Sequence, residues 1–155
     1  MNREIKITIC GSMSFAEQMV QAREALKNAG IKVEVPYSIE RFDREALIRE
    51  ELQGNGERES AEFKRKHDLI KDHYRKIMKS DGIVVLNYDK KGIPNYIGGN
   101  SFLEIGFAYV NDKKIFLLNP VPEIDFYKTE ILAMRPIILD GDLRRIRYRF
   151  NDLNH

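Results

Sequence analysis

The segment Gly82-Ile83-Val84-Val85-Leu86-Asn87 constrains the fold most. It is apolar at odd and even positions alike, so a strand here is covered on both faces. That is the pattern of a buried parallel strand. A second such run follows at Lys114-Ile115-Phe116-Leu117-Leu118-Asn119. Parallel neighbours need crossover connections, so helices are expected between the strands. The first strand is expected at 4–10, EIKITIC, running into a turn at Gly11-Ser12. Apolar residues Phe15, Met19, Val20, Ala22, Ala25 and Leu26 then recur at helical spacing until Asn28-Ala29-Gly30 stops them. Further strands are expected at 31–35 and 136–139, which makes five with those at 82–88 and 114–119.

Between Ser38 and Ser80 the chain is mostly charged. Ala46-Leu47-Ile48 suggests one short helix, broken at Gly54-Asn55-Gly56. A longer helix is expected from Arg58 to Lys79, with Phe63, His67, Ile70, Tyr74, Ile77 and Met78 on one face. Later helices are expected over Ser101–Asp112 and Phe126–Met134, and Leu143–Phe150 reads as a basic helix or tail. Strands alternating with helices predict an α/β fold, a doubly wound, flavodoxin-like five-stranded parallel sheet covered on both faces. We expect a single domain over 1–155.

Composition narrows the class of function. Lys and Arg number 26 against 24 Asp and Glu, a net charge of +2 in 155 residues. A dedicated nucleic-acid binder carries a clear basic excess, so none is expected. A domain of this length buries roughly 70% of its unfolded surface, enough for a core. The single cysteine, Cys10, excludes an internal disulfide and a cysteine-rich zinc site. No apolar run approaches the roughly 20 residues a membrane span needs. The start, MNREIKITIC, has no secretory apolar core, so a cytoplasmic protein is expected.

Ligands of open α/β sheets bind beyond the carboxyl ends of the strands. Three segments point there. The turn Cys10-Gly11-Ser12-Met13-Ser14 offers amides and hydroxyls to an anion, or simply a helix cap at Ser12 or Ser14. The run Gly98-Gly99-Asn100-Ser101 lets the backbone approach a ligand and can cap the following helix. Glu104 follows, in the expected first turn, among Leu103, Ile105 and Phe107. It is either a reactive acid, a dipole-favoured residue or the capping-box partner of Ser101. The third segment holds His67-Asp68 and Asp72-His73-Tyr74, too few ligands at metal spacing to predict a metal. Cys10 itself reads as a buried strand residue.

Ile9-Cys10-Gly11-Ser12, the strand Ile83 to Asn87, and the run from Gly98 through Glu104-Ile105-Gly106 to Ala108 together resemble the nucleoside 2-deoxyribosyltransferase-like superfamily. That group includes the 2'-deoxynucleoside 5'-monophosphate N-glycosidases. The resemblance covers roughly 4–140 and is weak between 38 and 65. It implies that Glu104 is a nucleophile forming a covalent glycosyl ester, with retaining chemistry. It implies that Gly11, Ser12, Met13, Ser14, Gly98, Gly99 and Asn100 hold substrate and its 5'-phosphate. The family's strand-one tyrosine is Thr8 here. Its helical aspartate is His73, beside Asp72, and either can serve as the acid for the leaving base. Tyr37, Tyr74 or Tyr96 can supply the missing phenol. A serine that a neighbouring subunit contributes in the family corresponds to Leu132, before Ala133-Met134. The implied partners are a small nucleoside or nucleotide and further copies of the chain, with no nucleic acid, membrane, metal or organic cofactor. Two other readings stay open on sequence grounds. One is a non-catalytic nucleotide-binding domain. The other is a partner-binding domain using Phe107, Tyr109, Phe126 and Tyr127.

Overall fold

A computed structural model describes residues 4–40 and 58–152, with side chains from 68 onward in the second stretch and not at 152. The short helix expected near Ala46 and the side chains of Phe63 and His67 lie outside the described residues. Five strands form one parallel sheet: β1 (Lys6–Gly11), β2 (Lys32–Glu34), β3 (Gly82–Leu86), β4 (Lys114–Leu117) and β5 (Ile137–Ile138). Their order is β2-β1-β3-β4-β5, the flavodoxin-like order. The expected α/β class and all five strands are borne out. The described helices are α1 (Ala16–Asn28), α2 (Tyr37–Glu40), α3 (Arg58–Met78), α4 (Gly99–Val110), α5 (Lys128–Ala133) and α6 (Arg145–Asp152), with a short 3-10 turn at Met13–Phe15.

Strand alternation sorts the core into two layers. Ile7, Ile9, Val84, Leu86 and Phe116 pack with Met19 and Leu26 of α1 and Ile146 and Phe150 of α6. Cys10, Ile83, Val85, Ile115 and Leu117 pack on the other face with Ile77, Ile105, Ala108 and Ile131 of α3, α4 and α5. β3 is buried at every position, which is why its sequence shows no alternation.

The strands end where side-chain amides take over from the ladder. Asn87 Nδ2 donates to the carbonyls of Asn119 and Pro120, at 2.8 and 3.1 Å. Asn119 returns a backbone N–H to Asn87 Oδ1 at 2.9 Å and a side-chain N–H to the Asn87 carbonyl at 3.0 Å. A fully buried Asn87 is thereby satisfied. On the α3 side, Lys76 Nζ donates to the Val35 carbonyl at 2.8 Å and reaches Glu40 at 2.6 Å and Asp72 at 3.1 Å. That ammonium ties the segment after β2 to α3.

Among the described residues no helix is long and apolar enough to cross a membrane. Gly82 marks the tightest strand approach, since a Cβ there would lie 2.7 Å from the Lys114 carbonyl oxygen. Gly82→Ala is therefore expected to lower stability by about 1–3 kcal/mol, read as an earlier urea-unfolding midpoint.

Candidate functional site

The site lies at the carboxyl ends of β1 and β3. Gly11 ends β1 with φ +152, and a Cβ there would sit 3.1 Å from the Leu86 carbonyl and 3.2 Å from Met19 Cε. Only glycine turns the chain so close to β3. Ser12 then caps the 3-10 turn, its Oγ accepting from the Ser14 N–H at 3.2 Å. A cavity opens beside this turn. Gly11 and Met13 line one side, Pro36, Tyr37 and Ser38 a second, His73 of α3 a third, and Asn100, Leu103, Glu104 and Phe107 of α4 the fourth.

Glu104 is 5% exposed and lies in the second turn of α4, not the first. The helix begins earlier than its sequence suggests because Gly98, in extended backbone with φ −82 and ψ 174, is the N-cap and makes no side-chain cap bond. The Phe102 N–H donates to the Gly98 carbonyl at 2.9 Å. Neither the capping-box nor the first-turn account of Glu104 therefore applies. Its partner is instead His73, 7% exposed, whose Nε2 is 2.7 Å from Glu104 Oε2. His73 Nδ1 is buried with no partner among the described residues. A proton on Nδ1 would be an unsatisfied buried donor, costing about 1–3 kcal/mol. We assign the ring proton to Nε2, where it donates to the carboxylate.

Cys10 Sγ is 3.4 Å from His73 Nε2 and within 4.8 Å of a Glu104 carboxylate oxygen. Burial first, and the Glu104 carboxylate second, push this thiol well above its usual range. Cys10 is thus a buried strand residue that stands beside the acid. Its position was missed as part of the site. Alternation along β1 is the signal that could have found it, because Cys10 faces the α3 and α4 layer.

The other expected residues distribute as follows. Asp72 faces Lys76 and is absent from the cavity lining. Tyr74 packs edge-on against Phe107, ring centroids 5.0 Å apart. Tyr37 lines the cavity. Thr8 is buried, with its hydroxyl 2.6 Å from Ser80 Oγ. Gly99 and Asn100 open α4 beside Gly98. Tyr127 donates its hydroxyl to the Ile97 carbonyl and stacks on Phe102, fixing the approach to α4.

Lys90 was also missed. Lys91 and Gly92 both have positive φ, 55 and 73, and close a tight turn bridged between Lys90 and Ile93. The turn delivers Lys90 Nζ to within 2.7 Å of Ser12 Oγ. The ammonium also lies 5.3 Å from the centroid of the Tyr96 ring. A Cβ at Gly98 would be 3.1 Å from the Tyr96 hydroxyl, so this cation stands near the start of α4. The Lys-Lys-Gly sequence was the available signal for a turn, though not for what it reaches.

No protein-family model matches the chain, and no curated protein matches it. Among solved structures it is similar to a 2-deoxyribosyltransferase from the psychrotolerant bacterium Bacillus psychrosaccharolyticus, at 20% identity and a TM-score of 0.51. The match covers 77% of this chain and 75% of that one. At that identity the likeness concerns the fold.

Because Cys10 is the only cysteine, its protection can be read directly. The native chain is expected to leave a bulky disulfide reagent such as DTNB unreacted, and to consume one equivalent once unfolded in denaturant. Rapid native labelling would contradict the burial described.

Proposed function

We propose that the chain cleaves the N-glycosidic bond of a nucleoside or deoxynucleoside, or of its 5'-monophosphate, with Glu104 as nucleophile. The observation that carries this reading is a carboxylate buried at a cavity on the carboxyl edge of the sheet, held by His73. The fold shared with a 2-deoxyribosyltransferase supports it. The sequence resemblance adds the reaction class.

In this reading the Glu104 carboxylate attacks C1' and the base departs with the bonding electron pair. The base takes its proton from within the cavity, where Tyr37 and Ser38 contribute to the lining. The resulting ester is opened by water, giving hydrolysis, or by an acceptor base, giving transfer. His73 acts as a positioning group. Its Nε2–H holds one carboxylate oxygen and its Nδ1 is buried, so neither nitrogen is presented to a leaving base. Asp72 remains tied to Lys76.

Lys90 is assigned to a 5'-phosphate. Ser12 lies between Gly11 and Met13, both in the cavity wall, and its hydroxyl carries the Lys90 ammonium. Among the described residues no carboxylate is paired with Lys90. A phosphate there gains a charge-assisted partner.

Base release from a panel of nucleosides and 5'-monophosphates, separated by chromatography, tests the assignment. Glu104→Gln is expected to lower turnover by roughly a thousandfold or more while ligand still raises the melting temperature. Unchanged turnover would remove Glu104 from the chemistry. Thermal stabilisation by nucleotides with no base released by the wild type would favour the non-catalytic binding domain. Lys90→Gln is expected to raise KM for a monophosphate about 10- to 100-fold, the worth of a hydrogen bond to a charged group, and to leave the parent nucleoside unaffected. Equal effects on both would detach Lys90 from phosphate recognition.

A further inference from the structure

The buried groups behind the cavity fit a second chemistry. Cys10 Sγ, His73 Nε2 and a Glu104 carboxylate oxygen all lie within 4.8 Å of one another. They come from β1, α3 and α4, so the fold and not a local motif assembles them. Thiolate, imidazole and carboxylate are the donor types zinc takes, at about 2.3, 2.0–2.1 and 2.0–2.2 Å. Tetrahedral angles at those lengths set the donors about 3.3–3.6 Å apart. The Cys10–His73 separation of 3.4 Å already has that value. The His73–Glu104 pair, at 2.7 Å, must open by about 0.6 Å to reach the lower bound.

We propose that Cys10, His73 and Glu104 form a binding site for a thiophilic divalent cation, zinc foremost, whose occupancy withdraws Glu104 from reaction. The cation site stands on geometry alone, whereas the inhibition rests on the glycosidase reading. On binding, the Cys10 thiol releases its proton to water and the thiolate becomes a ligand. The His73 proton moves from Nε2 to Nδ1, so that the Nε2 lone pair faces the ion. Two anionic ligands balance the +2 charge, and the buried site stays neutral. Three protein ligands leave a fourth position for water, on the cavity side where His73 and Glu104 lie.

The same geometry makes the site reversible. A ligating histidine ordinarily donates its other N–H to a partner, and losing that partner costs about 10- to 100-fold in affinity. His73 Nδ1 has none among the described residues. The cation is therefore an effector of the site and not a resident structural metal.

Cobalt(II) titrated into the chelator-stripped full-length chain tests this. With one cysteine in the sequence, any thiolate-to-cobalt charge-transfer band reports Cys10. The band is expected to saturate at one equivalent and to vanish when zinc is added. Glu104→Gln and His73→Asn, each shown folded by circular dichroism, are each expected to weaken cobalt binding about tenfold or more. Zinc is also expected to raise the melting temperature of the wild type, a readout that needs no variant. A folded wild type without the band, with no thermal shift at saturating zinc, or with affinity unchanged in both variants overturns the site. A band accompanied by base release that zinc leaves untouched overturns the inhibition. A band in a chain that releases no base at all supports the cation site and counts against the glycosidase reading instead.

Discussion

The parallel ladder between β1 and β3 is the contact on which the rest depends. It pairs Ile7 with Gly82 through to Gly11 with Leu86, at the centre of the sheet. From β1 the chain leaves toward β2 on one side, and from β3 it continues toward β4 on the other. The loops beyond these two strands therefore diverge, and a cleft forms where they part. Two of the loops that bear candidate groups start from that divergence. Gly11 and Ser12 come from the first loop, and Lys90 and Gly98 from the second. Because β1 is in register with β3, Cys10 is carried to the layer where α3 and α4 supply His73 and Glu104.

A carboxylate buried to this degree needs compensation. Removing a charge from water costs several kcal/mol, which only close partners offset. Glu104 has a ring N–H from His73 and the Cys10 thiol within 4.8 Å. Those partners explain why an acid can sit among Leu103, Ile105 and Phe107 without being expelled to solvent. They also bind two helices and a strand to one side chain. The acid is held by the fold as a whole, and its orientation is set before any ligand arrives.

Much of this was legible in the sequence. β3 and β4 announced themselves because burial on both faces leaves unbroken apolar runs, and the helix from Arg58 emerged at its expected place. Glu104 stood out as an acid in apolar company. Its turn of the helix was misjudged because Ser101 and Asn100 are good caps, while the structure uses the backbone of Gly98. The contact between Cys10 and His73 joins residues 63 apart in sequence, and no local pattern encodes it. Lys90 was hidden for a different reason. Its placement depends on two successive residues with positive φ, and its target lies 78 residues away. Asp72 and His73 looked interchangeable as neighbours, yet adjacent helical positions point about 100° apart. One faces Lys76 and the other Glu104.

The triple attachment of Lys76 bears on how anything enters the cleft. By holding Val35, Glu40 and Asp72 at once, it fastens the wall carrying Tyr37 to the wall carrying His73. Those two sides are joined through one ammonium. The opposite rim is pinned at its base by the Asn87–Asn119 clasp, but above the clasp its turn at Lys91-Gly92 has open space around Gly92. The loop after β3 is thereby joined to the loop after β1 at one point, the Lys90–Ser12 contact, so a charge change at Lys90 would be felt at the turn that closes β1.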